Sequence, residues 1–132
     1  MRSSFVTLAL CLISSLSAQD RFKAGLWEYN TVGGDKPGPS MSCLSIGATA
    51  AVNGTPESVR ANAEKSAAKF GMKITQYSFD GTTISMTMVS GPSIFTSKAS
   101  YRGNNFENVI TEHRMGKVTT KTITGKRVGP CP

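Results

Sequence analysis

The chain has one histidine, and that scarcity removes much of the chemistry open to a protein of its size. His113 follows Glu112, but successive residues on an extended strand face opposite ways, so the two are not placed to act as an acid–base pair. An enzyme centred on His113 is an alternative reading, and a surface histidine near a strand end is the plainer one. No serine lies in a G-x-S-x-G elbow, and no H-x-H or H-E-x-x-H spacing occurs. The eight acidic residues stand singly along the chain, which leaves a metal ion without a ligand set. Gly33-Gly34 and Gly47 lack the spacing of a phosphate-cradling loop, and no strand-to-helix G-x-G-x-x-G is present. The expectation is a non-enzymatic protein with no metal and no cofactor.

A long apolar run is missing as well. The opening MRSSFVTLALCLISSLSAQD carries Arg2, an apolar run from Phe5 to Leu16, and then small residues suited to a leader peptidase. The run is 12 residues long, short of the roughly 20 that span a bilayer as a helix. It reads as a signal peptide over residues 1–18, cleaved after Ser17 or Ala18, with no anchor expected in the mature chain. Cys11 follows Leu10 inside the run rather than a small residue at its end, so lipid modification there is not expected.

Cysteine is scarce too, at three, and removal of the leader leaves two, Cys43 and Cys131. An even count in an exported chain favours a disulfide between them. A thiolate pair on zinc would lack companion ligands, and intermolecular pairing is the other alternative. Because Cys131 lies one residue from the terminus, an intramolecular bond would tether an end that otherwise frays.

Acidic charge is the last deficit. Without Arg2 the chain has 14 Lys and Arg against 8 Asp and Glu, a formal charge of +6. The excess sits late: Lys98, Arg102, Arg114, Lys117, Lys121, Lys126 and Arg127 face only Glu107 and Glu112. Arg102, Arg114, Lys117 and Lys121 are candidate anion-binding residues, for phospholipid, lipopolysaccharide or another polyanion; nucleic acid is not favoured. Solubility and lysine protection of strand edges is the plainer account of the same charge.

What is present is mostly strand. MKITQYSF runs to Asp80-Gly81, TISMTMV to Ser90-Gly91-Pro92, SIFTSKASY to Arg102-Gly103-Asn104 and FENVITEH to Met115-Gly116, and KVTTKTIT closes the series, giving a five-stranded antiparallel meander. Ile84, Met86 and Met88 alternate with Thr83, Ser85 and Thr87, so one face is buried and one is wet. The paired methionines could line an apolar or soft-metal site, but filling a core is their commoner use. AGLWEYNTV and a short stretch around MSCLS add strands, with Trp27 and Tyr29 on one face as a stacking surface or, more plausibly, a buried aromatic anchor. One helix is signposted in NGTPESVRANAEKSAAKFG by Thr55 as cap, Pro56 in the first turn and Gly71 as stop, with Val59, Ala63, Ala67 and Phe70 on its packing face. Asn53-Gly54-Thr55 matches a glycosylation sequon, a triplet common enough by chance to carry no functional signal. The fold expected is one α+β domain over 19–132: a curved or half-barrel antiparallel meander of about seven strands, with one helix on its concave face, monomeric.

GLWEYNT near the mature start, Cys43-Leu44-Ser45, the Asp80-Gly81 turn and the closing GKRVGPC resemble the exported bacterial family catalogued as domain of unknown function 3617. The resemblance covers nearly the whole mature chain. It implies an envelope or secreted β-rich domain without established activity, and it carries over no catalytic residue. Many members have a second cysteine pair, at positions that correspond here to Met72 and Ser90.

Overall fold

The computed structural model describes residues 20–132. The expected leader, with Arg2, Cys11 and the cleavage site, lies outside the described residues. The elements run β1 (Gly25–Val32), β2 (Gly38–Leu44), α1 (Ile46–Asn53), α2 (Pro56–Lys69), β3 (Lys73–Phe79), β4 (Thr83–Ser90), β5 (Ser93–Tyr101), β6 (Asn105–Arg114) and β7 (Lys117–Gly129). The seven strands form one antiparallel sheet in the order β2-β1-β7-β6-β5-β4-β3.

The meander from β3 to β7 follows from the turn signals, each strand pairing with the next in sequence. The first two strands then attach to the far side of β7, with Leu26 opposite Gly129 and Val32 opposite Thr122. That placement corrects the half-barrel expectation. Cys43 pairs in register with Leu26, itself opposite Gly129, so Cys131 reaches it by curling back across the start of β1. The Cys43–Cys131 disulfide is present, with 5.5 Å between the Cα atoms, and the sheet stays open with β2 and β3 as its edges.

A second correction concerns helices: among the described residues there are two, not one. α2 lies where the capping signals put it, with Thr55 Oγ1 accepting from the Ser58 amide. Phe70, expected on its packing face, is the C-cap residue and is 73% exposed, because the helix ends one residue short of it. α1 is capped by Ser45, whose hydroxyl accepts from the Ala48 amide. Its eight residues include glycine and carry no charge, so local propensity is weak and outside contacts sustain it. Thr49 is buried, Asn53 clamps the Phe22 backbone through both ends of its amide (2.9 and 2.8 Å), and the Arg21 guanidinium donates to the carbonyls of Val52 and Gly54 at the C-terminal end. That cation sits where the helix dipole is negative, and it donates again to Gly81 O across the β3–β4 turn.

Alternation along paired strands collects Trp27, Tyr29, Ile84, Ala99, Tyr101 and Phe106 on the core face. Trp27 is 0% exposed and donates its indole N–H to Lys23 O at 2.9 Å. Phe22 packs edge-on to it at 4.7 Å between ring centroids and also meets Tyr101 and Phe106. A Cβ on Gly125 would lie 3.0 Å from Phe106 and 3.1 Å from Tyr29, so glycine is what lets the two rings close over β7. Arg127 donates to Ala24 O at 2.7 Å, which makes that late cation part of the scaffold.

Two predictions follow from this frame. The bond spans 88 residues, so replacing both cysteines by serine should lower unfolding stability by about 4 kcal/mol in the chain-entropy account, measured by denaturant melts of the oxidised protein and the double variant. Burial among the rings pushes the Tyr101 hydroxyl up to about 12, with Tyr29 adding to the shift. The folded state therefore holds this proton more tightly than the unfolded one. Its contribution is complete below pH 10 or so and is lost as pH rises toward 12, on the order of 3 kcal/mol. Ultraviolet titration should show Tyr101 ionising after Tyr29 and Tyr77, whose hydroxyls burial also raises, and Tyr101→Phe should remove that last step.

Candidate anion-binding end of the sheet

Antiparallel pairing brings four connections to one end of the sheet: the β1–β2 loop, the α2–β3 link, the β4–β5 turn and the β6–β7 hairpin. The last is the tightest. Met115 (φ 49°) and Gly116 (φ 77°) both lie in the left-handed region, which makes a two-residue turn of the kind that matches strand twist. Its register sets Arg114 directly opposite Lys117 on the core-face side. Lys121 lies four residues further along β7 on the same face, opposite Ile110.

Arg114, Met115, Lys117, Thr119 and Glu112 line an open depression of about 420 Å³. Glu112 accepts from Ser93 Oγ at 3.2 Å, and the only ion pair among the described residues is Arg60–Glu64 on α2, so Arg114 and Lys117 are not neutralised by a salt bridge. A second depression of about 310 Å³ lies beside it, formed by Gly33, Gly34, Asp35, Lys36 and Lys121 among others. The stem of Lys121 passes against Gly34, where a Cβ would lie 3.2 Å from the Lys121 Cδ. Three of the four expected anion-binding residues thus share one end and one face.

Arg102 does not join them. It occupies the β5–β6 turn at the opposite end of β6, a strand of ten residues and hence about 33 Å long. There its amide bonds Asn105 O at 2.9 Å, and it borders a separate groove with Glu107 and Thr124. Proximity in sequence misled because a hairpin strand carries its two ends far apart.

His113 and Glu112 do face opposite sides of β6: Glu112 pairs with Phe95 and Thr119, whereas His113 pairs with Ile94 and Val118. Met86 and Met88 are half-buried on the core face, Met86 opposite Tyr77 and Ser97 and Met88 opposite Ile74 and Phe95. Among the described residues there is no cluster of three His, Cys, Asp or Glu that could hold a metal ion.

One feature escaped the sequence reading. Gln76, Thr87, Thr96, Thr111 and Thr120 fall opposite one another across five strands on the outer face. Thr111 and Thr120 share a hydroxyl hydrogen bond of 3.2 Å, and Gln76 accepts from Thr87 at 3.4 Å. Alternation put threonine on the wet face, but only the register aligns the row. Next to it, Ser78, Ser85, Lys98 and Val109 complete a shallow depression of about 580 Å³. Cross-strand threonine pairs stabilise a sheet in their own right.

Comparison with protein-family profiles, with curated proteins and with solved structures gave no match. No helix of the described residues is long and apolar enough to cross a membrane. The cations opposite each other in the hairpin yield a direct test. Like charges facing across an antiparallel pair destabilise it, so Lys117→Glu should raise stability by about 0.5 kcal/mol at low salt, an effect that fades as salt is added. Thermal melts of the two proteins at two ionic strengths would show it.

Proposed function

We propose that this is an exported, non-enzymatic binding module of the cell envelope that uses the hairpin end of its sheet to engage phosphate-bearing anionic surfaces. The observation that carries the reading is the convergence of Arg114, Lys117 and Lys121 on one face of one sheet end, with no acidic partner in salt-bridge contact. A fold at rest gains nothing from setting Arg114 against Lys117, whereas an anion bound between them turns repulsion into attraction. A disulfide joining chain segments 88 residues apart suits an oxidising compartment, as the leader does.

The resemblance to the family of domain of unknown function 3617 fits the same picture. Lys73 and Val89 are register partners, so Met72 and Ser90 are the next facing positions on adjacent strands, a suitable place for the second disulfide that members of that family carry. We further read the sheet as curved around α2. The burial of Val59 and Ala67, and the Arg60 guanidinium 5.3 Å from the centre of the Tyr77 ring, support a helix seated on its concave side.

Binding should be strong to vesicles containing phosphatidylglycerol, weak to pure phosphatidylcholine, and competed by inorganic polyphosphate. Arg114→Gln and Lys117→Gln should each weaken it about fivefold at low salt. Vesicle sedimentation over a salt series is the measurement, and equal affinity for the neutral and anionic vesicles would overturn the reading.

A further inference from the structure

We propose that the β6–β7 hairpin is a membrane-surface anchor, in which Met115 enters the interfacial layer of an anionic bilayer while Arg114 and Lys117 hold lipid phosphates on one side of it. This rests on the anion-binding reading above and adds to it the kind of surface and the mode of contact.

Met115 is the strongest observation. It is the only non-glycine residue with positive φ among those described, at 49°, and it is 87% exposed. The two-residue turn it opens favours asparagine, aspartate or glycine at that position. Methionine there strains the backbone and leaves a flexible apolar side chain in water, and neither feature serves the fold. An unfavourable conformation combined with unfavourable exposure, at the apex of a tight hairpin, is accounted for by a partner that takes up the side chain.

The surroundings specify that partner. On one face of the hairpin, next to Met115, stand the opposed cations Arg114 and Lys117. On the other face Val118 (58% exposed) and Ile94 (45% exposed) lie either side of His113 in one cross-strand row. At the same end of the sheet Phe70, 73% exposed, sits between Lys69 and Lys73. Exposed apolar side chains gather at this end with cations beside them. A soluble polyanion would satisfy the cations and leave the apolar tip in water. A second copy meeting tip to tip would bring the arginine and lysine pairs together. An anionic lipid surface satisfies both sets at once, phosphate against the cations and acyl boundary against the thioether.

The test uses the whole oxidised mature chain, vesicles of phosphatidylglycerol with phosphatidylcholine, and the variant Met115→Asn. Asparagine suits the turn, so this variant should melt higher than the parent, while its partitioning to vesicles should fall about tenfold at low and at high salt. A Met115→Trp variant should show a tip fluorescence that shifts to the blue with vesicles and is quenched by brominated lipid, against the unchanged signal of buried Trp27. Partitioning of Met115→Asn equal to that of the parent, or no blue shift with the tryptophan variant, would overturn insertion and leave electrostatic binding standing. Failure of the parent to bind anionic vesicles at low salt would overturn both. Self-association of the parent without lipid that Met115→Asn abolishes would assign the tip to a second copy and overturn the bilayer.

Discussion

The structure depends on where β7 lies. A thirteen-residue strand pairs with β6 along its first ten residues and with β1 only along Thr122–Gly129, so it is at once the end of the meander and the seat of the first hairpin. The ladder at that junction joins the first strand to the last, and the Cys43–Cys131 bond fixes the two parts covalently just beyond it. Tyr29 and Phe106 pack over Gly125 in the same place, with Trp27 stacked on Tyr29, so the apolar core, the ladder and the disulfide reinforce one another. Non-local pairing of this kind is slow to form and costly in chain entropy, which is where a covalent link across 88 residues contributes most.

The same arrangement accounts for the asymmetry between the two ends of the sheet. At the disulfide end, two cations are taken up by the scaffold: Arg21 binds the final carbonyls of α1 and the β3–β4 turn, and Arg127 binds Ala24. At the hairpin end, the stretch of β7 from Lys117 to Lys121 has β6 beside it and no β1 partner, and its lysines border open depressions. One end is therefore finished by internal contacts and the other is left available. Net positive charge alone would not distinguish them, since both ends are basic.

Reading strands from alternation and turn signals worked where the signals are local. Asp80-Gly81, Ser90-Gly91 and Met115-Gly116 each close a hairpin, and Asp80 does so with its carboxylate accepting from the amides of Thr82 and Thr83, which holds its pKa below the usual range. α2 announced itself through Thr55 and Pro56. α1 did not, because its stability comes from Arg21, Asn53 and the burial of Thr49 rather than from an amphipathic repeat. Half of the candidate site was legible: Lys117 and Lys121 share a face by simple alternation. The exclusion of Arg102 and the opposition of Arg114 to Lys117 depend on strand length and register, and composition contains neither.

From its sequence alone this protein had settled its strand count, its principal helix, the pairing of Cys43 with Cys131 and the sidedness of each strand, because these follow from short-range periodicity, turn chemistry and the two thiols that lie outside the expected leader. Tertiary structure decided the rest. It seated β1 against β7 and left β2 as an edge, created α1 from distant contacts, aligned hydroxyls into a row and set a methionine in a turn that disfavours it. Those outcomes rest on cross-strand register and packing between remote segments, where a single residue of slip would exchange the faces.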